Sequence, residues 1–239
     1  MIINARDNPA KFTQNQKREN FISHKIRFEY ETSSSASDIS FYTMSDKCLM
    51  LKGSNLSVNG DLSDQETEDL MIFCSFAGVE TIETCRKSLP LYPGSTLNLL
   101  RRTEKFTVLH NIELSANESI YAFAEFCRGN FQGINRDSVY PYFARAVNHG
   151  RGKIYTVKND GQIVSGGFRA NYGNYIYITF LSTKENYRGQ GLARTVIKAV
   201  MEDNNGREIR LICENKLLSF YESLNFVKTD EIYVYNIKE

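Results

Sequence analysis

Residues 185–200 read ENYRGQGLARTVIKAV and follow, after Lys184, on the alternating segment YIYITFLST at 175–183. No other junction constrains the chain as tightly. Gly189 and Gly191 place the least restricted backbone where a helix begins, and that helix carries Leu192, Val196, Ala199 and Val200 on one face. The first amides of a helix lack partners within it, and that end carries partial positive charge. Glycines let such amides approach an anion without a Cβ in the way, and Ala193 keeps the first turn small. An isolated Arg-Gly-x-Gly favours a plain turn leading into the helix. Two nucleotide-binding patterns fail on spacing: a dinucleotide fingerprint needs Gly or Ala at 194, which is Arg194, and no Gly-Lys-Ser/Thr follows for a P-loop.

The chain supplies enough apolar material for a core, with 41% hydrophobic residues and 15 Phe and 14 Tyr among 239 positions, in one large or two small units. Its 29 basic and 28 acidic side chains nearly cancel, so neither a nucleic acid nor a membrane is expected as a partner. Five scattered cysteines contain no Cys-x-x-Cys pair, which predicts neither a disulfide framework nor a metal site. Cys74, Cys127 and Cys213 follow Phe or Ile in apolar runs, as buried thiols in a reducing compartment would. No apolar run approaches about 18 residues, and the polar N-terminus lacks the apolar centre of a signal peptide. A cytoplasmic location is the expectation.

The first 25 or so residues read as partly loose, and 32–38 as a loop. Strands with turns follow, including one at Asn59-Gly60-Asp61. Ser63 and Glu66 form a capping box for a helix carrying Leu70, Phe73 and Cys74, which Gly78 is placed to end. Residues 79–85 alternate as a strand, and another strand is expected after Pro93-Gly94. From 105 the order reads strand, helix, helix, three-strand meander, helix, strand, short helix, strand. The helix after residue 114 is read with a capping box at Ser115 and Glu118 and an end at Gly129. The next is capped by Asp137 or Ser138, with Pro141 in its first turn.

Arg188-x-x-Gly191-x-Ala193 after an antiparallel strand, together with LLSFYESLNF at 217–226, resembles the GNAT superfamily of acetyl-CoA-dependent acetyltransferases. The resemblance implies an α+β fold over 105–239, a GNAT-type twisted and mostly antiparallel sheet flanked by helices. It leaves 1–104 as a smaller α/β domain, faintly repeating the later order as a degenerate GNAT-like half. The resemblance further implies that Leu181, Ser182 and Thr183 hold the pantetheine arm of acetyl-CoA, with the Leu181 amide as oxyanion donor. The diphosphate would lie on Arg188, Gly189, Gln190, Gly191, Leu192 and Ala193. Tyr221 takes the place of the family's tyrosine, whose phenol can protonate the departing CoA thiolate. Asn225 stands where the family often has Gly. Glu214 stands where many members have an Asn facing the cofactor, with Asn215 one step later.

The implied activity is N-acetyl transfer to an amine of a small molecule or peptide, with no metal, and the chain is open to forming a homodimer. Glu125, His149 and Glu185 are base candidates by residue type alone, while His24 and His110 read as structural or surface residues. A non-catalytic acyl-CoA sensor is the rival from another class. Transfer of another acyl or aminoacyl group is a third reading, which the near-neutral charge does not favour. The first half has DLSDQETED where the second has YRGQGLA, so its helix start should repel a diphosphate.

Overall fold

Two asparagines organise the N-terminal residues. In the computed structural model, which describes residues 1–33, 38–87, 89–102, 114–116, 118–132 and 136–237, a short strand β1 (Ile2–Asn4) leads into α1 (Pro9–Asn15) and α2 (Phe21–Thr32). Asn8 and Asn20 cap these helices, their side chains accepting from the amides of Lys11 and Ser23. The expectation of a loose start is therefore corrected. The apolar residues here are few, but Phe12, Phe21, Ile22 and Ile26 are all buried, and a polar average hides them.

The chain continues through β2 (Ile39–Met44), β3 (Lys47–Lys52), β4 (Asn55–Val58), α3 (Asp64–Ala77), β5 (Thr81–Thr84) and β6 (Tyr92–Arg102). Then come β7 (Leu114–Ser115), α4 (Ile120–Asn130), α5 (Arg136–Asn148), β8 (Gly152–Asn159), β9 (Gln162–Tyr172) and β10 (Tyr175–Thr183). The last elements are α6 (Leu192–Glu202), β11 (Glu208–Cys213), α7 (Leu218–Glu222) and β12 (Val227–Asn236). Two compact units result. The first holds Met1–Leu99, Cys213–Lys216 and Thr229–Glu239; the second holds Leu100–Ile212 and Leu217–Lys228. The linear division expected at 104/105 falls outside the described residues, as do His110 and most of the strand read at 105–114.

In the first unit β1–β2–β3–β4 pair antiparallel, β5 joins β4 in parallel, and β12 joins β5 antiparallel. Its core includes Leu49, Leu56, Val58, Leu70, Cys74, Ile82 and Tyr235. The α3 capping box is present in full, and Gly78 ends the helix in the left-handed region at φ 67°.

In the second unit β7–β8–β9–β10 pair antiparallel and β11 joins β10 in parallel. Phe143 centres its core, 5.1 Å from Phe123 and 4.8 Å from Phe168 between ring centroids. Burying each such ring contributes about 2–3 kcal/mol. Three local readings change. Ser119, not Ser115, caps α4 by accepting from the Ala122 amide, and Gly129 lies inside the helix. Because α5 starts at Arg136, Pro141 lies past its first turn and removes one interior hydrogen bond.

Candidate active site

The site starts from a break in β10. Its ladder with β11 runs from Tyr175↔Glu208 to Ile178↔Leu211 and stops there. Against β9 the register shifts between Thr179 and Ser182, leaving Phe180 and Leu181 as a bulge. Phe180 has φ 52°, a strained conformation for a bulky residue. Its ring packs edge-on against Phe143 at 5.0 Å and Phe131 at 5.8 Å, which holds the backbone in place. Leu181 seats on Gly167, where an added Cβ would lie 3.2 Å from the Leu181 side chain and 3.1 Å from Val196. Beyond the bulge, Ser165 donates to the Ser182 carbonyl at 3.1 Å and lies 2.9 Å from the Thr183 hydroxyl. The end of β10 therefore diverges from β11 and is anchored on the β9 side.

A single 3-10 turn, Glu185–Tyr187, links β10 to the glycine loop. Gly189 and Gly191 have φ 77° and 78°, which other residues rarely adopt. Gly191 is the N-cap of α6, no side chain caps that helix, and its first turn contains no acid. A Cβ at Gly189 would meet nothing within 4 Å. Arg188 and Gln190 are exposed at the loop, with the Arg188 Nε donating to the Thr183 carbonyl at 3.3 Å. Leu192 turns into the core at 8% exposure, while Ala193 stays at the half-buried surface. This is a helix start with donors unclaimed by side chains, a natural seat for an anion.

Sequence reasoning missed the link between α6 and α7. Arg194 donates to the Ser223 hydroxyl at 2.9 Å and lies 5.9 Å from the centroid of the Phe220 ring. The helix bearing Tyr221 is thus tied to the first turn of α6. Tyr221 is 7% exposed and packs edge-on against Phe220 and Phe226, at 5.0 and 5.8 Å. Asn225 takes φ 59°, the left-handed geometry the family's glycine would adopt. The half-buried side chain at 194 carried no signal; only folding places it beside Phe220.

Asn215 belongs to the first unit, where its Oδ1 accepts from Asn98 Nδ2 at 2.7 Å. Glu214 pairs with Lys216 at 2.6 Å.

Among the base candidates, Glu125 on α4 pairs with Arg128 at 2.9 Å, His149 is exposed with Nδ1 2.9 Å from the Arg145 carbonyl, and Glu185 is exposed. Cys48, Cys74 and Cys127 are free, and burial pushes their thiols up to about 12, too high for a nucleophile. No metal-binding cluster occurs among the described residues. Among the same residues, no helix is long and apolar enough to cross a membrane.

Residues 150–228 match the family described as the acetyltransferase (GNAT) domain. That span holds the bulged strand, the glycine loop and Tyr221. No curated protein sequence matches the chain. Among solved structures, the chain resembles a tandem GNAT protein from the clavulanic acid biosynthesis pathway, with 10% identity and a TM-score of 0.69 over 100% of this chain and 99% of that one. It also resembles a GCN5-related N-acetyltransferase from Kribbella flavida (11%, TM-score 0.63, 91% and 94% covered). A GNAT-family acetyltransferase from Colwellia psychrerythraea is similar over the full length of both chains (11%, TM-score 0.61). At such identities the structures speak for the fold, and the family match speaks for the segment: residues 150–228 belong to the GNAT superfamily, within a chain whose fold is that of full-length GNAT proteins.

Proposed function

We propose that the protein transfers an acetyl group from acetyl-CoA to an amine of a small molecule or peptide. The observation that carries this reading is the start of α6, uncapped and free of acid, directly after a strand that parts from its parallel neighbour. Acetyl-CoA supplies an activated acyl carbon bonded to a good leaving group. In this reading the amides from Gly189 to Ala193 and the Arg188 charge hold the diphosphate, while Leu181–Thr183 align the pantetheine arm. The Leu181 amide, within the bulge, donates to the thioester carbonyl as charge develops on its oxygen. The amine nitrogen forms the new bond to the acyl carbon, the carbon–sulfur bond breaks, and its electron pair leaves on sulfur. Tyr221 donates a proton to that sulfur, and the proton lost by the amine passes to water and returns to the phenolate.

The test is a screen of acetyl-CoA against amine panels with detection of released thiol, paired with calorimetry of CoA. Amine-dependent release is expected, and Arg188→Ala should weaken CoA binding roughly tenfold, about 1.4 kcal/mol. CoA binding without turnover on any amine would favour a sensor. Absence of CoA binding by a folded protein would remove the site.

A further inference from the structure

A second concave site lies at the opposite end of α6, 11 residues or about 16 Å along the helix from the glycine loop. It is a cavity of about 370 Å³ lined by Gly150, Gly152, Lys153, Arg169, Asn171, Asp203, Asn205 and Arg207. Three cations face one carboxylate. One oxygen of Asp203 takes both Lys153 Nζ at 2.8 Å and an Arg169 terminal nitrogen at 2.7 Å, along with the Tyr155 hydroxyl. The C-terminus of α6 adds roughly half a negative charge, so an excess of about one and a half positive charges remains. Arg169 is only 6% exposed, and its Nε is buried without a hydrogen-bond partner among the described residues. An unmatched guanidinium N–H at this depth is costly and calls for an acceptor. Oδ1 of Asn171 is buried and unmatched as well; a half-turn of the amide presents N–H donors there instead. Desolvation and the nearby Arg169 charge both disfavour the protonated form of Arg207, a repulsion that a bound anion would relieve.

We infer that this cavity binds a small oxyanion of the phosphate class, gripped by Arg169, Arg207 and Lys153. Guanidinium pairs suit such groups because their planar donors match two oxygens at once. The site is separate from the glycine loop and does not depend on the acetyltransfer reading.

The experiment is an amide-resolved NMR titration of the full chain with inorganic phosphate and, in parallel, with glycerol phosphate, at constant ionic strength set by chloride. Saturable shifts are expected at Gly150–Lys153 and Asp203–Arg207. Tighter binding of one probe identifies whether a free phosphate or an esterified one is preferred. Arg207→Gln, at a half-buried position, should weaken binding at least tenfold. Lys153→Gln, with 39% of its side chain exposed, is the second variant and should also weaken it. Arg188→Ala at the glycine loop should leave these shifts in place. Shifts confined to Gly189–Ala193, shifts that fail to saturate, or binding indifferent to both cavity variants would each overturn the proposal.

Discussion

Tyr221 is positioned by packing, and its proposed chemistry resides in one oxygen. The ring lies against Phe220 and Phe226 and is almost wholly buried, so Tyr221→Phe preserves shape and removes only the hydroxyl. Turnover should fall roughly tenfold to a thousandfold, the span of a positioned proton donor, while CoA affinity stays within about threefold. Steady-state kinetics beside calorimetry separates the two, and full kcat from pH 6 to 9 would make Tyr221 a packing residue.

Asp203 offers a second test at this scale. Burial raises its carboxyl, but hydrogen bonds from Lys153 and Tyr155 and the Arg169 and Lys153 charges outweigh that and hold it at about 2. A carboxyl lowered from 3.8 stabilises the fold fully above about pH 4, and that contribution fades as the pH falls towards 2. Asp203→Asn leaves three cations facing one another. Because the side chain is 35% exposed, the cost at neutral pH should be roughly 2 kcal/mol, between exposed and buried pairs. Denaturation midpoints that differ at pH 7 and converge near pH 2 are expected; a constant gap would contradict the charge argument.

At the scale of elements, α3 and α6 occupy corresponding positions after a meander of strands and meet opposite fates. The start of α3 is closed: Ser63 and Glu66 cap each other's amides at 3.3 and 2.8 Å, and Lys47 sits on Glu66 at 2.9 Å. The start of α6 has no side-chain cap. An anion at α3 would have to displace a satisfied carboxylate, which hydrogen bonds from the Ser63 amide and Lys47 hold at about 2 despite desolvation. A calorimetric titration should therefore give one CoA per chain. Two equivalent sites would show that the α3 cap opens.

At the scale of the molecule, each unit repeats one order: strand, two helices, antiparallel meander, helix, parallel strand. The C-terminal strand does not follow the linear order. From Thr229 it belongs to the first unit, where β12 pairs with β5 through Tyr233↔Thr84 to Asn236↔Thr81 and buries Tyr235 in the core. Deleting 229–239 removes that ring and exposes β5, so destabilisation of at least about 3 kcal/mol is expected in the first unit. Hydrogen exchange resolved along β5 and β4 checks this. Unchanged protection there would mean that β12 is dispensable.

By itself the sequence determined the elements whose cause is local. The capping box at Ser63, the glycine stop at 78 and the RGQGLA helix start depend on contacts within a few residues, and the meander of β8 to β10 joins strands that are neighbours in sequence. A periodic pattern or a capping side chain records such contacts directly. The glycine loop and the short helix bearing Tyr221 were legible for that reason, as parts of two short motifs. Tertiary structure alone decided the rest. Phe180 takes a left-handed φ because Phe143 and Phe131 clamp it, and Arg194 meets α7 because two helices pack. Asn98 holds Asn215 across 117 positions, and the last strand serves the first unit. These outcomes rest on contacts between distant segments, whose partners no local pattern names.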